Sequence, residues 1–322
     1  MSDPLVVLGE VRTSLLPHST PLSEPEVVHL LSIVPGIQVS ARKRPLARVV
    51  SPSLGVGVDC DLATRRGRQA RARAIGTVSA RVVVVGGRVG QSSATTRVVR
   101  AQRPSRQNWS HYLANLGTVE LIPRIGDDAT VMLELCEGFL EYSGDTTLDL
   151  GSISEQLQLG LRMDPLLDHR PSLHTSATRL RWAARVAAQP SGSTDGWVRL
   201  EFRLEDEIVR SARITVSTEA NLAGVQQFCE DLAVHDWLLT TVSNELAAID
   251  SVAGDRDTTP RMTALLRELA HLWMPGAHTP GGLRGLWTSL EHEPGFTRQW
   301  KSEVGRLRDR LLIANQRRSA AE

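Results

Sequence analysis

The spacing of hydrophobic residues changes once along this chain, near Glu219, and that change limits the folds open to it. Upstream, apolar runs are short, rich in Val and Thr, and punctuated by Gly and Pro, which is strand-and-turn chemistry. Downstream, Leu222, Val225, Phe228, Cys229, Leu232, Leu239 and Leu246 recur at the spacing of one helix face. Met262, Leu265, Leu269 and Trp273 repeat the pattern, as do Trp300, Val304, Leu307 and Leu311. The pattern predicts an α+β protein, with a β-rich N-terminal two thirds followed by an all-helical C-terminal domain.

Three parts follow from this reading. Residues 1–145 form a β-rich basic region, with strands expected at 5–16, 37–50, 75–85, 88–99 and 118–125. One early helix is expected where Ser23 caps a segment with Glu26 three residues on and Pro35-Gly36 as the stop. Residues 146–217 form an α/β region, with a helix at about 150–163 and strands at 173–188, 197–204 and 207–216. The last two strands alternate apolar and polar residues around Glu205-Asp206, which predicts a hairpin. Residues 218–322 form a helical bundle whose Trp237, Trp273, Trp287 and Trp300 are four of the seven tryptophans.

Charge is distributed unevenly although the formal net charge is +1. Residues 1–110 carry 16 Arg and Lys against 6 Asp and Glu, whereas residues 111–322 carry 21 against 30. This permits an anionic partner at the N-terminal part, or docking of one part on the other. Only Lys43 and Lys301 are lysines, so arginine abundance alone is weak evidence for phosphate recognition. The cysteines Cys60, Cys136 and Cys229 are widely separated and read as buried thiols. No apolar run approaches the ~20 residues that cross a bilayer, and the N-terminus lacks a secretory pattern. A cytoplasmic protein with no membrane segment and no cofactor is expected.

Several catalytic readings fail on chemistry. The stretch 82–92 resembles a phosphate-binding loop, but Val85 stands where its first glycine belongs and Gln91 replaces its lysine. A hairpin turning at Gly86-Gly87 fits better. The nine histidines show no metal-ligand spacing. His235 and Asp236 are the best catalytic candidates, because both project onto an otherwise apolar helix face where burial shifts pKa values. His111 or Glu230 could assist them. Trp237 projects away from that face and either packs a second layer or meets a partner. Arg65, Arg66, Arg68, Arg71 and Arg73 are candidate phosphate contacts, with Trp109 close to a further arginine series as a stacking surface.

The phrases Val7-Leu-Gly-Glu-Val-Arg-Thr13, Trp109-Ser-His-Tyr-Leu113, His235-Asp-Trp-Leu-Leu-Thr-Thr241, His271-Leu-Trp-Met-Pro-Gly276 and Pro294-Gly-Phe-Thr-Arg-Gln-Trp300 run through nearly the whole chain. In these it resembles a family of actinobacterial, Streptomyces-type proteins of unknown function. The resemblance implies a gene near that of a variant P-loop protein, which would supply the nucleotide motif missing here. It carries no catalytic residues. The expectation is therefore a non-enzymatic interaction or adaptor component, with nucleic-acid binding through 65–106 and an enzyme using His235 and Asp236 as the alternatives.

Overall fold

The strand Val6–Leu15, β1, has nine buried residues out of ten, so both its faces must be covered. The computed structural model describes residues 4–63, 72–122, 129–141, 146–187, 198–251 and 258–319, and shows how that is done. After β1 come α1 (Glu24–Leu30), β2 (Ser40–Arg42), β3 (Arg48–Val50), β4 (Leu54–Leu62), β5 (Ala72–Val85), β6 (Val89–Arg100), α2 (Trp109–Leu113) and β7 (Thr118–Ile122). Then follow α3 (Ala129–Glu141), α4 (Leu150–Arg162), β8 (Thr178–Val186), β9 (Val198–Leu204) and β10 (Val209–Val216). The remaining described elements are helical: α5 (Glu219–Ser251), α6 (Thr259–Glu268), α7 (Arg284–His292) and α8 (Phe296–Ser319), with short 3-10 turns at Ala270–Leu272 and Gly281–Leu283.

All ten described strands join one mixed sheet in the order β2-β3-β5-β7-β6-β1-β8-β10-β9, with β4 also paired to β5. Gly86 and Gly87, at φ +58° and +65°, turn β5 into β6, so the stretch that imitates a phosphate loop is a hairpin turn. The hairpin stays paired as far as Ser79↔Thr95 and then opens. β7 fills the gap, antiparallel to β5 and parallel to β6. β8 and β10 run parallel, and the hairpin from β9 to β10 leaves β9 at the edge of the sheet.

Alternation along β1 divides the core. Val7, Val11 and Leu15 share an apolar cluster with α5 and the helices beyond it, whereas Val6 and Leu8 share one with α3 and the start of α4. The first cluster runs without a break from the sheet through α5 to Met262, Trp287, Trp300 and Leu307, so the C-terminal helices and the sheet bury each other. This explains why α5 is buried all round at its centre, where every residue from 228 to 239 is enclosed, charged ones included. A helix between a sheet and a second helical layer has no solvent face.

The 1–145 region is less purely β than its composition predicts. α2 and α3 interrupt it, and β4 was hidden by Gly55 and Gly57, over which Leu116 and Trp109 lie. The capping pattern at Ser23 is present, with the Ser23 N–H donating to Glu26 Oε2 at 2.7 Å. No described helix is long and apolar enough to cross a membrane.

Candidate functional site

Four ionisable residues cluster on the buried part of α5, and helical geometry aims them at different neighbours. Glu230 faces the sheet, where its carboxylate meets Arg81 on β5 at 2.7 and 2.8 Å and Arg48 on β3. Burial would raise its pKa, but the charges of Arg81 and Arg48 outweigh that and hold it below the ordinary carboxylate range. Asp231 faces the second helical layer and accepts from Thr279 Oγ1 at 2.8 Å, while Trp287 Nε1 donates to Thr279 at 2.7 Å.

His235 faces the same layer and is fully enclosed. Its Nε2 accepts the Met274 N–H at 3.0 Å, and its Nδ1 lies 2.7 Å from the Asp231 carbonyl oxygen. Because an amide N–H only donates and a carbonyl only accepts, the ring is the neutral tautomer with its proton on Nδ1. Burial pulls its pKa below the usual value, against the opposing pull of Asp231. Trp273 and Trp287 close over it edge-on at 5.2 and 5.4 Å. The adjoining cavity, lined by Gln91, Glu230, Asp231 and His278 among others, is about 10 Å³ and has room for no more than a water. The His278 ring beside it is pushed down to about 4, by burial first and then by the Arg48 charge.

Asp236 points elsewhere, so the two sequence candidates are not a pair. Arg210 Nε, from β10, donates to Asp236 Oδ2 at 2.9 Å, and its other nitrogens donate to Thr240 Oγ1 at 3.0 Å and to the Asp206 carbonyl at 2.7 Å. Asp236, Thr240 and Arg210 border a groove of about 1030 Å³ between β9, its turn, α5, and the junction of α7 with α8. Leu200, Phe202, Leu239, Leu290, Pro294 and Phe296 supply its apolar lining. Burial raises the Asp236 carboxyl to about 6, against the charge and hydrogen bond of Arg210.

Arg210 is the member of this site that the sequence expectations do not include, although the residue pattern carries a signal for it. It continues the inward-facing series of Ala212, Ile214 and Val216, a position where a charge requires a partner.

The shift of Asp236 has a measurable sign. A carboxyl with a folded pKa raised above its unfolded value favours folding when protonated, and that contribution fades as pH rises through the folded pKa. Relative to the wild type, Asp236→Asn should therefore gain about 2 kcal/mol between pH 4 and pH 7. Urea midpoints across that range test this. A wild-type-to-variant difference that stays constant with pH would show that Asp236 does not titrate there.

Trp237, expected either to pack a second layer or to meet a partner, is wholly buried with its Nε1 donating to the Ser176 carbonyl at 2.9 Å, which corrects the partner-binding expectation. It belongs to the second-layer packing, because α5 is covered on every side at that level. Trp273 and Trp300 stack at 4.4 Å between ring centres. Arg65, Arg66, Arg68 and Arg71 lie outside the described residues. Arg73 donates to both oxygens of Asp59, at 2.7 and 3.0 Å, so its charge is matched locally. Trp109 is 40% exposed, lies against Gly57 and has the Arg106 guanidinium over its ring at 5.5 Å, so one of the faces a base would use is already occupied. His111 Nε2 sits 2.8 Å from Glu120.

Burial, the largest influence on all three thiols, raises Cys60 to about 11, Cys136 to about 12 and Cys229 well above its ordinary value, so none is a ready nucleophile. Among the described residues, no three His, Cys, Asp or Glu side chains are grouped to hold a metal ion. No family model, curated protein or solved structure matches the chain.

Proposed function

We propose that this chain is a non-enzymatic interaction component that receives a segment of a partner protein in the groove beside Asp236. One observation carries the reading: an open groove of about 1030 Å³ with aromatic and aliphatic walls and a few fixed polar groups on its floor. Aromatic anchors surrounded by polar groups are what a docking surface needs. His235, Asp231 and Glu230 serve the interior and Glu245 is bonded to Arg261, so Asp236 is the buried α5 carboxylate left to face a ligand. In this reading the β-rich N-terminal part is the platform and the C-terminal helices form the wall that the partner touches. The protein acts in the cytoplasm of an actinobacterium, and the partner implied by the resemblance is a P-loop protein encoded nearby.

Site-specific crosslinking tests the proposal. A photoreactive benzoylphenylalanine at Asn244, which is exposed in the groove, should capture one protein in the native host that the same group at Gln156, on the opposite face, does not. That protein, purified, should bind the chain and lose roughly tenfold in affinity on Asn244→Arg. Equal capture at both positions, or none at Asn244, would overturn the reading.

A further inference from the structure

The groove borders the free edge of the sheet. Glu205 N–H donates to Val209 O at 3.0 Å, and the register continues as Leu204↔Arg210, Arg203↔Ser211 and Phe202↔Ala212. Bonded and non-bonded pairs alternate in an antiparallel ladder. Glu205, Arg203 and Glu201 therefore turn their N–H and C=O groups toward β10, while Leu204, Phe202 and Leu200 turn theirs outward. Among the described residues, β9 pairs with no strand but β10.

All five residues from Leu200 to Leu204 border the groove. Strand side chains alternate between faces, so one face could contribute only every second residue. The groove therefore follows the strand edge itself, backbone included. Five carboxylates and two guanidiniums border it; Glu201 is already bonded to Arg213, which leaves an acidic rim of Asp206, Glu207, Glu293 and Asp236. One of those guanidiniums, on Arg210, is already used by Asp236, Thr240 and the Asp206 carbonyl. Asp236 gives only Oδ2 to Arg210, which leaves Oδ1 for an occupant.

We infer that β9 accepts an extended segment of a partner protein as an added strand, and that a lysine or arginine of this segment meets Asp236 and the acidic rim. The inference rests on the interaction reading above and names the occupant. Main-chain bonds to Leu200, Phe202 and Leu204 supply affinity, while alternate side chains enter the groove and supply selectivity. A charge-reversed segment would place carboxylate against carboxylate and be rejected.

The test uses the full chain and a fluorescein-labelled peptide, Val-Thr-Val-Thr-Lys-Thr-Val-Thr-Val, followed by fluorescence polarisation. The peptide should bind about tenfold more tightly than its counterpart with Glu at the centre, and Asp236→Asn should remove most of that preference. N-methylation of the odd-numbered amides and of the even-numbered amides should differ, one set abolishing binding and the other sparing it, because only alternate amides face β9. Leu204→Pro removes an outward-facing N–H without touching the bonds to β10, and should weaken binding by about tenfold with little loss of stability.

Equal effects of the two methylation patterns would overturn strand addition, and so would a wild-type chain that ignores the Lys peptide up to roughly 1 mM. These wild-type measurements stand even if Leu204→Pro misfolds. A partner captured at Asn244 whose binding ignores Leu204→Pro would leave the groove reading intact and remove this one. Sedimentation showing a wild-type dimer that Leu204→Pro dissociates would make a second copy of the chain the occupant, and would equally overturn it.

Discussion

Replacing Glu230 by leucine is expected to destabilise the chain by about 4 kcal/mol, because it takes the bonded counter-charge from a buried guanidinium and leaves only the more distant pull of Asp231. Glu230 has 1% of its surface exposed and bridges two strands through Arg48 and Arg81. Arg48 is itself buried, at 6% exposure, and burial is the largest influence lowering its pKa. Arg81 is more accessible and reaches water more easily. The penalty therefore falls mainly on Arg48. It follows that the double variant Glu230→Leu/Arg48→Met should recover part of the loss, since removing both partners avoids the unpaired charge. Urea denaturation of the two variants decides this: a single variant within about 1 kcal/mol of wild type would show that the bridge is dispensable.

Gly9→Ala is expected to be damaging for a steric reason, by about 3 kcal/mol. Gly9 on β1 pairs directly with Trp182 on β8, and a methyl group there would lie 2.1 Å from Trp182 Cζ2 and 2.2 Å from Cε2. The indole is wholly buried between the sheet and α5, so it has no empty space to swing into. Trp182→Leu alone should also destabilise, by about 3 kcal/mol, through the cavity it opens. The two changes should offset each other: Gly9→Ala/Trp182→Leu is expected to be clearly more stable than the sum of its parts predicts. Strict additivity in thermal or urea unfolding would mean that Trp182 does not press on Gly9.

Much of the element pattern is legible in the residues. The capped helix at Ser23, the hairpin at Gly86-Gly87 and the strand pair around Glu205-Asp206 all rest on local chemistry: a hydroxyl that caps, glycines that tolerate positive φ, and alternation over a few residues. β4 was not legible. Its glycines read as loop, and only the side chains of Trp109 and Leu116, arriving from α2 and the turn after it, explain why small residues alternate there. α3 is not legible either, because its helical spacing lies inside a region whose composition favours strands.

The candidate site divides in the same way. That His235 and Asp236 sit on a buried stretch of helix follows from periodicity, and so does the separation of Trp237 from its main apolar face. Their roles depend on what lies beyond the helix. Rotation by about 100° per residue sends Asp231 and His235 to the second helical layer, Glu230 to β3 and β5, and Asp236 to β10. Apart from the contact of His235 with Asp231 one turn back, each of those partners lies more than twenty residues along the chain from the α5 residue it meets.

The residues by themselves determined the class of fold, the hairpins, and the presence of an uncommon set of charges inside a helix, because each depends on periodicity and local backbone preference. Only the tertiary structure decided which of those charges are structural and which faces a groove. The reason is physical: a buried charge is defined by its partners, and Arg48, Arg81 and Arg210 reach α5 across the sheet from positions that no local pattern connects to it.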